Sequence, residues 1–483
     1  MIARSRARVR LCRMFEPVIG LEVHLALKTT SKLFCGCAAE GFGLEPNVNV
    51  CPICLGLPGT LPVANERAIE LATTFALALE CEVSEVTRFH RKHYFYPDAP
   101  KNYQISQYDE PIGQHGRITV ASGRSFGITR CHLEEDAGRL VHPPYAPYSL
   151  VDFNRAGAPL IEMVTEPDLR SADEARELLG EIRALARALG VSDATPEEGK
   201  LRADVNISMR LPGAEFGTKV EVKNLNSFRN VAAAIQYEIK RQSQLLDDGR
   251  KIQQETRGFN EGGQRTYSLR SKEGSADYRY LSDPDLPEVT MAAPRRTVLV
   301  NEMPELPAAK RERLAALGLK QELAQLIAYD VETAAFFDET LAAYDGSAQN
   351  LANWLTGEVA GVLGARDQDL AASRLSARGL AELLALVDDG TISTPTAKEL
   401  LPAVIDGRDA DDLVAEGGLR QVSDESEVAR LVSAVMAANP ELVARVAANP
   451  KAINALLGAV MKESAGRAKP DLVRSLLAEK LGL

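Results

Sequence analysis

Ile19-Gly20-Leu21-Glu22-Val23-His24-Leu25-Ala26-Leu27 places an apolar residue at every second position. A β-strand turns successive side chains to opposite faces. Ile19, Leu21, Val23, Leu25 and Leu27 are therefore expected inside, with Glu22 and His24 side by side on the other face. Leu201 to Arg210 repeats the pattern, with Leu201, Ala203, Val205, Ile207 and Met209 on one side and Arg202, Asp204, Asn206, Ser208 and Arg210 on the other. Val220 and Val222 then alternate with Lys219, Glu221 and Lys223, and the seven residues from Leu211 to Gly217 read as a hairpin loop.

Helices are expected to cover the apolar face. Ser171-Ala172-Asp173-Glu174 has capping-box spacing, and a stripe of Leu178, Ile182, Leu185 and Leu189 leads to a stop at Gly190. After Ser227, Val231, Ile235 and Ile239 recur every fourth residue. The fold class that follows is α+β, an antiparallel sheet with helices on one face. Beyond Asn301 the chain becomes Ala/Leu-rich with helical spacing, and Pro440, Pro450 and Pro470 each restart a helix at its first turn. The expected layout is an α+β domain over residues 15–300, an all-α domain over 301–410 and a small helical tail over 411–483. Residues 1–14 hold five Arg and no acid, and read as a disordered or mis-assigned extension ahead of Met14.

The 483 residues are 45% apolar, 25% charged and 5% aromatic, a globular composition. No apolar run approaches the roughly 20 residues that cross a bilayer, which excludes an integral helical membrane protein. A net charge of −11 excludes a protein coated in basic residues for nucleic acid, though not a local basic groove. Seven cysteines without a secretory signal point to a reduced, cytoplasmic chain.

Four of those cysteines, Cys35, Cys37, Cys51 and Cys54, form a C-x-C…C-x-x-C array. Two close thiol pairs joined by a loop can converge on one tetrahedral ion, and four thiolates leave no open position for water. The expectation is structural Zn²⁺. A second metal is suggested by carboxylates: Glu22 with His24, the run His132-Leu133-Glu134-Glu135-Asp136 following an expected strand Phe126 to Cys131, and Glu162 within the apolar Leu160 to Val164. A lone carboxylate among apolar residues is costly to desolvate without a cation. In the competing reading Glu162 pairs with an arginine such as Arg130, and Glu134 to Asp136 simply face water. The face made by Arg202, Asp204, Asn206, Ser208, Lys219, Glu221 and Lys223 can bind nucleotide phosphates and Mg²⁺, or be an ordinary solvated surface. No G-x-x-x-x-G-K-[ST] loop and no G-x-S-x-G elbow is present, so any use of ATP would rest on a sheet platform.

Several long motifs carry a resemblance. They include Phe15 to His24, Arg91-Lys92-His93-Tyr94-Phe95-Tyr96-Pro97-Asp98, Lys101-Asn102-Tyr103-Gln104-Ile105-Ser106-Gln107 and His132 to Gly138. Glu221-Val222-Lys223-Asn224-Leu225-Asn226-Ser227-Phe228 and Asp277-Tyr278-Arg279-Tyr280 belong with them. Together they resemble the GatB family of tRNA-dependent amidotransferase components. The resemblance implies a glutamine synthetase-like cradle, a helical domain and a YqeY-like tail. It implies a ligase that uses ATP and Mg²⁺, the metal held by Glu22, His24, Glu135 and Glu162. The implied substrates are misacylated Glu-tRNA(Gln), Asp-tRNA(Asn) or both, with ammonia supplied by a GatA glutaminase in a complex with GatC. A non-discriminating aminoacyl-tRNA synthetase is a further implied contact. Lys462, Arg467, Lys469 and Arg474 form a local basic excess suited to tRNA phosphates, or a plain solvated helix face. Tyr94, Tyr96, Tyr278 and Tyr280 are expected to pack rather than to stack on RNA. The alternative from another class is a non-catalytic tRNA-binding scaffold.

Overall fold

The computed structural model describes residues 15–271, 278–421, 425–449, 452–464 and 467–482. The expectations for residues 1–14 and for Pro450 lie outside them. The chain divides into two units, Met1–Ala309 and Lys310–Leu483.

The first unit is built on a nine-stranded sheet. Its strands in chain order are β1 (Glu16–Ala26), β2 (Glu82–Val83), β3 (Gly113–Thr119), β4 (Ser125–Glu135) and β5 (Pro159–Thr165), then β6 (Leu201–Arg210), β7 (Val220–Leu225), β8 (Glu255–Asn260) and β9 (Arg265–Ser271). Across the sheet the order is β9-β8-β7-β6-β1-β5-β4-β3-β2, so the alternating strands β1 and β6 lie together in the middle. Ile19, Leu21, Val23 and Leu25 are fully buried, as are Ala203, Val205 and Ile207. Each Val, Leu or Ile among them contributes roughly 1.5–3 kcal/mol on burial.

Four helices share that core: α1 (Glu66–Ala78), α2 (Ala172–Ala188), α3 (Phe228–Asp247) and α4 (Ala293–Asn301), the last through Leu299. Ser171 caps α2 by accepting from the Glu174 amide, and Ser227 caps α3 by accepting from the Asn230 amide. Gly190, with φ +64°, ends the α2 segment in the left-handed region that glycine tolerates.

Two features depart from expectation. The sheet is mixed: β7 and β8 run parallel, pairing Glu221 with Thr256 and Val222 with Arg257, and every other neighbouring pair is antiparallel. Helix α3 lies in the connection between β7 and β8, and a parallel pair requires such a crossover. The strand expected to end at Cys131 instead continues to Glu135. Its alternation is broken by a bulge. Val164 of β5 faces Arg130, but the next residue, Thr165, faces Ile128. The extra residue, Thr129, shifts the alternation by one. Phe126 and Ile128 therefore join the apolar layer together with Cys131 and Leu133, although their numbers differ in parity.

A three-stranded sheet of His90–His93, Tyr103–Ser106 and Leu281–Ser282 adjoins β4 through its Tyr103–Ser106 strand. In the second unit, one core runs from Leu314 to Val414 and another from Val428 to Leu477. The helix Ala410–Gly417 buries Leu413 and Val414 in the first of these, so the tail's own core starts later than residue 411. Pro440 and Pro470 open helices at their first turn as expected. Among the described residues no helix is long and apolar enough to cross a membrane.

Candidate active site and metal centre

Strand register assembles the polar face. His24 stands opposite Arg202 on β6 and Glu162 on β5, and Glu162 stands opposite His132 on β4. Glu22 stands opposite Asp204, and Asn206 opposite Glu221. Residues almost 200 positions apart in the chain thus share one surface.

The first group centres on Glu162, which is 6% exposed. Its Oε2 lies 3.4 Å from His24 Nε2 and 3.5 Å from His132 Nε2. Glu134 lies 3.7 Å from His132 Nε2, 4.0 Å from His24 Nε2 and 3.9 Å from Lys92 Nζ. Burial alone would raise both carboxyls, but the surrounding cations outweigh it. His132, His24 and Lys92 hold Glu162 well below the carboxylate range, while Lys92 and His132 hold Glu134 at about 2. His24 answers in the opposite sense: burial would lower it, yet Glu162 and Glu134 raise it to about 9.

A second group adjoins the first. Lys223 Nζ bridges Asp204 at 2.9 Å and Glu221 at 2.8 Å, and Asn206 donates to Glu22 at 2.8 Å. Burial raises the Glu22 carboxyl, and the nearby Glu162 charge raises it further against the Asn206 hydrogen bond. The ligand atoms of His24, Glu134 and Glu162 all lie within 4.8 Å of one another, and so do those of Glu22, Asp204 and Glu221. Carboxylate oxygens with one imidazole form a donor set that fits a hard divalent cation such as Mg²⁺ or Mn²⁺.

Of the four residues expected to hold that metal, Glu22, His24 and Glu162 share this face and Glu135 does not. One position past Glu134, its side chain turns through the sheet, where it is ion-paired to Lys101 and accepts from the Ile105 amide at 2.8 Å. Glu134 occupies the place expected of it. The reading in which the acidic run faces water fails, since Glu134, Glu135 and Asp136 are all buried. Nor is Arg130 the partner of Glu162, whose charge meets His24 and His132. Among the residues expected to bind nucleotide, Asn206, Glu221 and Lys223 lie in the second group. Arg202 is held by Asp136 at 2.9 Å, and Ser208 sits farther along β6 opposite Val18. Sequence reasoning offers His132 and Glu134 only within the acidic run and Asp204 only on the polar face of the hairpin, and it misses Lys92, which comes from a different sheet.

The four cysteines converge as their spacing predicts, with all sulfurs within 4.8 Å. A thiol set of this kind fits a tetrahedral metal ion. The Cys51 amide donates to Cys54 Sγ at 3.1 Å, and the fully buried Lys32 places Nζ 3.7 Å from the same sulfur and 2.8 Å from the Asn49 carbonyl. The hydrogen bond from Cys35, aided by Lys32, lowers Cys54 to about 4. Tyr280 stacks on Tyr108 at 4.3 Å and meets Tyr278 edge-on, so these rings do pack, while Tyr96 is largely exposed. In the tail, Lys462, Arg467 and Arg474 are exposed and Lys469 is half-buried.

Comparison with known proteins agrees with this layout. The family described as the GatB/GatE catalytic domain matches residues 17–295, and the GatB domain of the YqeY type matches 335–481. The B subunit of the aspartyl/glutamyl-tRNA(Asn/Gln) amidotransferase of Deinococcus radiodurans is 52% identical over 477 residues, covering 97% of this chain and 100% of the relative. The Thermus thermophilus protein of the same name is 52% identical over 471 residues, again with 97% and 100% coverage. That of Brevibacillus brevis is 45% identical over 474 residues, covering 97% and 99%.

Proposed function

The chain belongs to the GatB family, and from that premise we propose that its sheet face activates and amidates the side-chain carboxylate of Glu-tRNA(Gln), Asp-tRNA(Asn) or both, using ATP. A carboxylate does not yield to ammonia directly, because oxide is a very poor leaving group. Phosphorylating it with the γ-phosphoryl of ATP makes an acyl phosphate, from which phosphate departs readily. Ammonia would come from a GatA glutaminase, with GatC completing the complex.

The observation that carries this reading is the convergence of His24, Glu134 and Glu162 beside Glu22, Asp204 and Glu221 on one sheet face. These residues would hold Mg²⁺, which when bound neutralises charge on the phosphoryl oxygens. Around it the chain's own groups orient and balance charge. His24 and His132 fix the Glu162 carboxylate, Asn206 fixes Glu22, and Lys223 bridges Asp204 and Glu221. We assign the four cysteines to a structural Zn²⁺ that staples the loop from Cys35 to Cys54, and the tail cations to tRNA phosphates.

The test is reconstitution of the full chain with GatA and GatC on each mischarged tRNA. Glu162→Ala and Glu22→Ala should abolish ATP-dependent amidation while tRNA binding persists. Full activity in both variants would favour a scaffold role instead.

A further inference from the structure

Several cations in and around this site are committed to carboxylates. Lys223 bridges Asp204 and Glu221, Arg202 holds Asp136, and Lys101 holds Glu135. Two others are not. Lys92, on the His90–His93 strand, stops 3.9 Å from Glu134, beyond hydrogen-bond distance, with the Tyr278 ring 5.3 Å away. Among the described residues its ammonium makes no hydrogen bond. The side chain of Arg130, on β4 two residues before His132 and opposite Val164, makes neither a hydrogen bond nor an ion pair among the described residues, and its Nε is buried without a partner. Arg130, His132 and Glu134 alternate along β4 beyond the bulge and so share its polar face, with Arg130 opposite Val164 and His132 opposite Glu162, and Lys92 reaches the same face at Glu134 from the adjoining sheet. Unmatched donors beside an acidic cluster are costly to desolvate unless an acceptor arrives with the ligand.

The geometry points to Lys92 and Arg130 as the pair that receives the phosphoryl group in transfer and keeps hold of it until phosphate leaves. A lysine offers a compact charge and an arginine a planar fork, which together suit an anion with three free oxygens. In the first step the bond from the γ-phosphorus to the ADP oxygen breaks as a bond to the acceptor carboxylate oxygen forms. In the second, the carbon–oxygen bond of the acyl phosphate breaks as carbon–nitrogen forms; phosphate leaves with the electron pair and takes up a proton from the attacking ammonia. Both cations stay on the phosphoryl oxygens throughout. This assignment rests on the phosphoryl-transfer reading given above.

The test uses the full chain in its complex with GatA and GatC, and titrates ADP and the non-hydrolysable analogue AMP-PCP, each with Mg²⁺, by calorimetry. Lys92→Met and Arg130→Gln should each weaken AMP-PCP about tenfold or more while leaving ADP unchanged, and Lys92→Arg should recover part of the loss. Equal weakening of both nucleotides, as a merely structural role would give, overturns the assignment. So does unaltered AMP-PCP affinity in the two variants while the unmodified complex binds both nucleotides. If the unmodified complex binds neither nucleotide, the phosphoryl-transfer reading falls together with the assignment.

Discussion

The cysteine loop and the carboxylate face are both candidate metal centres, built in opposite ways. The cysteine ligands lie within twenty residues of one another, between Cys35 and Cys54, and their convergence follows from local spacing. The carboxylate ligands come from β1, β4, β5, β6 and β7 and meet only because the strands pair in one register. A local site can be recognised from a motif. A site made by register can be recognised only once every strand's phase is known, and a single bulge suffices to misplace a ligand.

Glu134 and Glu135 offer the sharpest way to break that comparison. Glu134→Gln should lower amidation about 10²–10³-fold, as loss of a preorganised charge at the reacting centre does. Glu135→Gln should leave Mg²⁺-dependent nucleotide binding unchanged, because its carboxylate faces Lys101 on the other side of the sheet. Nucleotide titration of both variants separates the two, and the reverse pattern would restore Glu135 to the metal group.

Next in size is a buried carboxylate with a purely structural surrounding. Glu238 of α3 is fully buried and meets Arg241 at 2.7 Å, Arg257 at 3.1 Å and the Thr266 hydroxyl. Burial would raise its carboxyl, but the hydrogen bonds from Arg241, Thr266 and Gln242 prevail and hold it below its ordinary value of 4.5. The stability it contributes is thus fully present above that value and is lost as pH falls through its lower folded-state pKa. Glu238→Gln should cost about 3–5 kcal/mol near neutral pH and flatten the acid limb in urea unfolding.

A smaller effect is expected at the cysteine loop. Lys32→Met should weaken zinc binding about 10–100-fold in chelator competition, as loss of a group contacting a ligand does, with no change in nucleotide affinity. The purified chain should carry about one zinc ion. Smallest of all are single changes in the tail. Neutralising Arg467 or Arg474 should reduce the slope of log tRNA affinity against log salt by under about one per residue.

Much of the architecture is readable from Ile19 to Leu27, from Leu201 to Arg210 and from the serine caps at 171 and 227, because alternation and capping are local. The parallel pairing of β7 with β8 is not, since nothing in Val220–Leu225 encodes the direction of its neighbour. At the candidate site, Glu22, His24, Glu162 and the four cysteines are legible. Glu134 is legible only as one of an acidic run, because which of Glu134 and Glu135 faces the site depends on the strand's pairing, and Lys92 is hidden behind the docking of a separate small sheet.

The phase change at Thr129 has a genetic corollary. Loss of the one codon for Thr129 would leave every functional side chain in the sequence, yet the strand would have to choose. Either His132 and Glu134 would be driven into the oily layer and Leu133 would emerge, or Phe126 and Ile128 would surface in their stead. Counting residues along this strand is therefore as stringent a requirement as the chemistry of any acid it displays.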